Sequence, residues 1–558
     1  MALSIDKALR LAQKHLDDGQ TSEAEAIFKE ILRKFPKNKK TIQGYQKLKL
    51  GITSKIVKKT APSQKQIQEI NRLYLESLMH EVISRTKRMI ALYPQSLEMH
   101  ILSGEANRCL GNNHDAIESY QKVLKIKPRY AEVYNNLGNV LKQNGNLREA
   151  IENYKKAIKI KANYTDACFN LANTLHDYGE LEAAISYFKK VIETQPRHAE
   201  AYFNMSVALH EMGDLDGAIN GYETAIKLQP EYPEACNNLG NSFRDLGDLT
   251  EAQVNFKRAI LINPEYSTPY WNLSGTETQI SVTKSWLKKC LEVDDNYQHA
   301  HLMLAALDYY DGDHRNYLEI INSDLCNHPF TRSFSWVFSL PYLPKLYFNK
   351  WQFLEAIADK SLKNRPFYEF GVWRGTTFKF LTKIFGEGYG FDTFEGLPED
   401  WHKEKMGTYS SSKKIPKIDG GKFIVGKFDE TLPNFFSVSR PRASVINFDA
   451  DLYTSTKCAL THSKSVIDGK TILIFDEFFM NQNWEEDEFK ALEEFCAINL
   501  FTYTVLAICF FSKQVAIRLH EQDFFIVFIS RDIAARPIIK SYSYQSKGHN
   551  ILSNWLII

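Results

Sequence analysis

Small, aromatic and proline positions return with one spacing along the first two-thirds of the chain. Prolines stand at Pro94, Pro128, Pro196, Pro230 and Pro264, and Ala162 fills the gap in the series, so the unit is 34 residues long. Each unit carries a glycine (Gly111, Gly145, Gly179, Gly213, Gly247), an alanine (Ala116, Ala150, Ala184, Ala218, Ala252) and an aromatic (Tyr120, Tyr154, Phe188, Tyr222, Phe256) at constant offsets. That pattern predicts a pair of antiparallel helices per unit. The glycine takes the turn between them, the alanine allows close approach, and the aromatic fills the space to the next unit. The same offsets before Pro36 (Gly19, Ala24, Phe28) predict a first helical repeat over 1–36. Residues 37–65, lysine-rich and including KIVKKTAPSQKQ, read as a flexible linker. Repeats then run over 66–330, degenerate at 66–94 and shortened after Pro264, as expected of units that cap a stack. A connector follows over 331–348.

The 34-residue template resembles tetratricopeptide repeats, whose stacked helix pairs bind proteins or peptides in a groove. One polar column stands out: Asn136, Asn170, Asn204, Asn238 and Asn272 occupy the same place in the first helix of five successive units. An amide both donates and accepts, so such a ladder is suited to an extended peptide backbone, an arrangement that resembles the protein-glycosylating O-GlcNAc transferases. The other reading is that these amides serve hydrogen bonds between repeats.

Bulk composition narrows the picture only a little. With 69 Lys+Arg against 67 Asp+Glu the formal charge is +2, which gives no field to recruit nucleic acid or an anionic membrane surface. The first residues, MALSIDKALRLAQKHLDDGQ, interrupt every apolar run with charge, so neither a secretory segment nor a membrane span is expected there, and a cytoplasmic location follows as an expectation. The eight cysteines are scattered singly and predict reduced thiols.

From Asn349 the pattern changes to short apolar runs alternating with helical segments, which predicts a parallel sheet with crossovers. Strands are expected at 366–372, 388–394, 423–428, 443–451, 471–479, 502–509 and 514–519, the last two forming a hairpin. The first five end in Gly, Asp or Glu, at the edge where such sheets bind ligands. Glu369-Phe-Gly371-Val-Trp-Arg-Gly375 leads from the first strand into a helix, and its glycines would let a ligand lie against backbone. Asp392 ends the second strand, where a carboxylate can accept both hydroxyls of a ribose. Residues 396–421 are polar and glycine-rich and suit a lid in which Trp401 and His402 face an acceptor.

Read in order, EFGVWRGTT, GFDTFEGLPEDW, VGKFDETLP, INFDADLYTSTKCAL and LIFDEF are similar to the macrocin O-methyltransferase family over residues 349–520. The resemblance implies an all-α tetratricopeptide solenoid followed by an α/β Rossmann-like class I methyltransferase domain, using S-adenosylmethionine and Mg²⁺ or a similar divalent cation. By family position, Glu369, Gly371 and Gly375 belong to the cofactor loop and Asp392 is the ribose acid. Asp449, Asp476 and Glu477 match the metal ligands, with Glu477 where the family carries Asp. Three carboxylates at neighbouring strand ends also supply the hard oxygens Mg²⁺ prefers. Asp451 matches the second Asp of the D-x-D phrase and is the candidate general base. The expected activity is O-methylation of a sugar, a glycosylated acceptor or another small-molecule hydroxyl, with a protein or peptide partner in the repeat groove. The competing expectation is a protein-binding scaffold whose methyltransferase-like domain is inactive. Residues 521–558 match nothing in the family.

Overall fold

The computed structural model describes residues 5–17, 20–49, 61–402, 404, 406–411 and 413–521. Gly19, residues 50–60 of the expected linker and residues 522–558 of the tail lie outside the described residues.

Each 34-residue unit folds into two helices, for example Ala131–Gln143 with Leu147–Ile160 and Pro233–Leu246 with Leu249–Ile262. The turn glycines Gly111, Gly145, Gly179, Gly213 and Gly247 all sit at positive φ, between 71° and 95°, where a Cβ is strained. Second helices place Glu149 or Glu251 in the first turn, against the positive end of the helix dipole. The aromatic column is buried, with Tyr120, Tyr154, Phe188 and Phe256 at 0 % exposure. Room for each ring comes from a small residue on the first helix: a Cβ on Gly138 would lie 2.6 Å from Tyr154, and one on Gly240 2.6 Å from Phe256. Burying one such ring contributes about 1.5–3 kcal/mol, which any larger residue at Gly138 would forfeit.

Two segments differ from their expected character. Lys39–Lys49 is a helix, so helical structure reaches into the lysine-rich stretch, and Ser63 opens the next helix, Gln64–Leu75, with a capping box to Gln66. The expected connector is structured as well: helix Pro329–Ser339 buries Phe334 and Val337. Arg332 on that helix pairs with Glu485 at 2.7 Å, tying it to the C-terminal sheet domain.

That domain holds one eight-stranded mixed sheet: β1 (Lys345–Tyr347), β2 (Phe367–Phe370), β3 (Gly388–Asp392), β4 (Gly421–Val425), β5 (Val445–Phe448), β6 (Ile472–Phe475), β7 (Phe501–Cys509) and β8 (Gln514–Glu521). The order is β1-β7-β8-β6-β5-β2-β3-β4. β8 runs antiparallel to β6 and β7, and every other neighbouring pair is parallel. From β2 the chain winds outward through β3 to β4, then returns to β5 on β2's other flank. This reversal opens a crevice beyond the carboxyl ends of β2 and β5, where open α/β sheets bind ligands. β2, β5 and β6 are buried throughout, which is why they read as continuous apolar runs. One apolar core joins the last repeats to the sheet, running from Tyr270, Leu287 and Met303 through Phe334 to Phe370, Phe448 and Phe475. Among the described residues no helix is long and apolar enough to cross a membrane.

Candidate functional site

A cavity of about 820 Å³ lies over the carboxyl ends of β2, β3, β5 and β6, lined by Glu369, Gly371, Gly375, Asp392, Asp449, Asp451, Asp476 and Glu477. The sheet thus brings together all eight residues singled out at the strand ends, although their local roles differ from one to the next.

Glu369, 1 % exposed on β2, is the most constrained. Its Oε1 accepts from Asn447 Nδ2 at 3.5 Å, while its buried Oε2 has no protein partner. Burial pushes its carboxyl up to about 8, opposed by the Lys350 ammonium. Gly371, at φ 90°, is required by the protein itself, since a Cβ there would lie 1.8 Å from the Asp449 carbonyl. Gly375, at φ 77°, opens helix Thr376–Phe385, and its missing side chain accommodates Pro416 and Ile418.

Asp392 holds this loop in shape. Its Oδ2 accepts from the Val372 and Trp373 N–H groups, both at 2.7 Å, and its Oδ1 from Phe394 N–H at 2.6 Å. Three of roughly four lone-pair positions are therefore committed, so grip on both hydroxyls of a ribose requires the loop to yield a bond. Beyond β5, Leu452 N–H donates to Ala450 O at 2.6 Å around Asp451, which sits at φ 58°. A non-glycine residue at that φ is strained, a conformation that concentrates at functional sites. Burial and the neighbouring Glu477 push the Asp451 carboxyl up to about 8. Burial and Asp476 raise Asp449 well above the carboxylate range.

The expected metal ligands Asp449, Asp476 and Glu477 share the cavity, but two of the three face lysines. Among the described residues no three carboxylate, imidazole or thiol groups form a cluster able to hold a metal ion. Asp476 instead faces Lys350 at 3.2 Å, and Glu477 faces Lys513 at 2.8 Å, so ammonium groups stand where a cation would bind. Asp476 and Asp449 in turn hold the half-buried Lys350 above its ordinary value despite desolvation. Neither lysine carries a local motif, and only the sheet order brings them to these carboxylates.

Described residues of the 396–421 stretch, from Gly396 to Tyr409, border the cavity. Leu397 and Trp401 pack on Leu452, and Tyr409 meets Trp373 edge-on at 5.9 Å. His402 is engaged with Asp487 at 2.9 Å. In the array, the asparagine column stitches repeats together. Asn136 donates to Glu105 at 2.6 Å, Asn170 to Asn135 at 3.0 Å, Asn204 to Asn173 at 2.9 Å and Asn272 to Asn237 at 2.8 Å. Asn238 accepts from its neighbour Asn237 at 3.3 Å. At Asn136, Asn170, Asn204 and Asn272 the geometry displays the inter-repeat reading, with one amide donor of each engaged, whereas Asn238 bonds within its own repeat. Residues overlooked in the sequence are His210, Arg244, Asp245 and Trp271, repeat residues that line the same cavity. The available signal was the 34-residue recurrence of basic residues at Lys142, His176, His210 and Arg244.

Residues 104–145, 138–179 and 208–243 match the family described as TPR repeat, and 165–198, 187–220 and 233–266 match families described as tetratricopeptide repeat. No curated protein matches the chain. Similar solved structures include the MamA protein, 27% identical over 31% of this chain and 94% of that one, with a TM-score of 0.29. MamA from Desulfovibrio magneticus RS-1 is 18% identical over 30% and 95%, with a TM-score of 0.30. YrrB, described as a TPR protein with an unusual peptide-binding site, is 19% identical over 33% and 97%, with a TM-score of 0.29. The continuous segment 104–266 is thus built of tetratricopeptide repeats.

Proposed function

We propose that the C-terminal domain is an S-adenosylmethionine-dependent O-methyltransferase for a hydroxyl acceptor, a glycan or another small-molecule hydroxyl, and that the repeats bind a protein or peptide partner. The observation that carries this reading is Glu369, a buried carboxylate with one oxygen unpartnered, placed in a cavity at the point where the strand order reverses. Buried polar atoms without partners are rare and call for an occupant. A cationic amino acid moiety supplies both the charge and the donor that Glu369 Oε2 lacks.

When bound, S-adenosylmethionine supplies an electrophilic methyl group. The chain's own residues bind, orient and deprotonate. Glu369 anchors the amino group, Asp392 fixes the backbone of the loop that borders the cavity, and Asp451 takes the acceptor hydroxyl's proton. The bordering stretch carrying Trp401 and Tyr409 excludes water. No step is assigned to a divalent cation, because Mg²⁺ would have to displace Lys350 from Asp476 and Lys513 from Glu477. The test is calorimetric titration of S-adenosylmethionine into the full chain, then turnover with and without a chelator. Saturable binding with chelator-insensitive turnover is expected. Absence of binding sinks the methyltransferase reading, and loss of turnover on chelation reinstates the metal.

A further inference from the structure

The C-terminal domain does not build its cavity alone. His210, Arg244, Asp245, Trp271 and Asn272, all on first helices of repeats, line it opposite the strand ends. The turn glycines make the approach possible. A Cβ on Gly213 would lie 2.7 Å from the Trp373 ring and one on Gly247 3.2 Å from the Trp351 ring, while Gly111, Gly145 and Gly179 meet nothing within 4 Å. Trp351 Nε1 donates to the Arg244 carbonyl at 2.7 Å across the junction. The last repeats are covered by the domain, and the turns of the earlier ones stay open.

First helices of successive repeats are also linked by a ladder of charges that ends in the cavity. Lys142 pairs with Asp177 at 2.8 Å, His176 with Glu211 at 3.0 Å and His210 with Asp245 at 3.1 Å. These side chains keep between 24% and 48% of their surface exposed. The next step would join Arg244 to position 279, which is Gln279, and Arg244 turns instead to Asp245 of its own repeat at 3.0 Å. The ladder thus runs along one face of the array and delivers its last cation to the cavity.

Resting on the methyltransferase reading, we propose that the polypeptide held by the repeats and the acceptor methylated in the cavity are one molecule. An extended protein segment lies along the first-helix face and carries a hydroxyl, its own or that of an attached sugar, past Arg244 and Trp271 to Asp451. Every residue of a polypeptide offers one N–H and one C=O, and the ladder's part-exposed carboxylates and Lys142 keep acceptor and donor positions beyond their single inter-repeat pair. A free small acceptor would use only the cavity and leave the exposed face of this track uncontacted. The transfer balances: the acceptor oxygen gains the methyl carbon, sulfur keeps the electron pair of the broken S–C bond and leaves as a neutral thioether, and Asp451 takes the proton.

The experiment uses the full chain and S-adenosylmethionine with a tritiated methyl group. The probes are a degenerate library of long Ser/Thr/Tyr peptides, unmodified and O-glycosylated, and a mixture of free sugars. Label is expected in the peptides and reduced about tenfold, one unit in log affinity, by Lys142→Ala combined with Glu211→Ala. Calorimetry on the same variant reads cofactor affinity separately, and it is expected to equal that of the unaltered chain. Label in free sugars but not in peptides, or peptide labelling indifferent to the variant, overturns the proposal. Failure of the unaltered chain to bind S-adenosylmethionine overturns the methyltransferase reading beneath it, and the calorimetric arm identifies that case.

Discussion

Glu369 carries a carboxylate that burial pushes up to about 8 and whose Oε2 has no protein donor. Glu369→Gln keeps the volume and removes the capacity to ionise against a bound cation. The substituted chain is expected to fold with unchanged helix and strand content by circular dichroism while its affinity for S-adenosylmethionine falls at least about tenfold, because a charge-assisted bond to the ligand's ammonium is lost. Gly371 tests a different kind of constraint. Gly371→Ala forces a Cβ against the Asp449 carbonyl at positive φ, and left-handed strain and overpacking together are expected to cost about 3 kcal/mol. A denaturant melt reads the loss, and an unchanged midpoint would show that the two loops part without penalty. That both residues border the cavity was legible in the sequence. The manner in which this loop is held was not: Gly371 yields to the Asp449 carbonyl just beyond β5, and Asp392 spends itself on three backbone N–H groups, because long-range approach leaves no local trace.

At the scale of elements, β2 through β6 were legible from apolar runs closed by Gly, Asp or Glu, and β7 and β8 from two apolar runs flanking a short turn; β2, β5 and β6, buried on both faces, lose the alternation of surface strands. β1 was not. Its three residues, KLY, carry no periodicity, and the strand exists because β7 offers Ala507, Ile508 and Cys509 as partners. Lys39–Lys49 reads as linker for a related reason: lysines dominate its composition while Thr41 supplies the contact that is fully buried. The charge ladder makes a prediction of its own. Glu211 holds His176 above its ordinary value of 6.5. The stability this pair contributes is fully present below the unfolded value and is lost as pH rises through the raised one. Melting temperature is therefore expected to decline between about pH 6 and about pH 8 by a contribution under about 1 kcal/mol, the range for part-exposed pairs. Glu211→Ala should flatten that slope, and an equal slope in the variant would show that His176 takes no part.

For the whole molecule, the repeat template provides an internal control. Gly145 and Gly213 have the same turn, at φ 79° and 71°, but only Gly213 abuts Trp373. Valine at either position carries the same backbone strain, so any additional loss at Gly213 reports the junction. Gly213→Val is expected to weaken S-adenosylmethionine binding severalfold and Gly145→Val to leave it unchanged. Equal behaviour would mean that the array does not shape the cavity. The boundary between halves is where sequence and structure part most: composition changes at Asn349, yet the apolar core continues back through Phe334 and Met303 to Leu287 and Tyr270. A fragment beginning near residue 340 leaves those partners behind and is expected to bind hydrophobic dye and melt without cooperativity, whereas one beginning near residue 265 retains them and melts cooperatively.

That shared core changes what counts as a part. The sheet domain and the repeats before it look like two cassettes spliced end to end, yet the last helix pairs belong to the sheet's interior as much as its own strands do. A chimera joined at the compositional border would inherit half of a core. Exchange that preserves the sheet half has to be made upstream, among repeats whose cores do not enter the sheet, so that new recognition is acquired by swapping the distant units while those nearest the cavity stay in place.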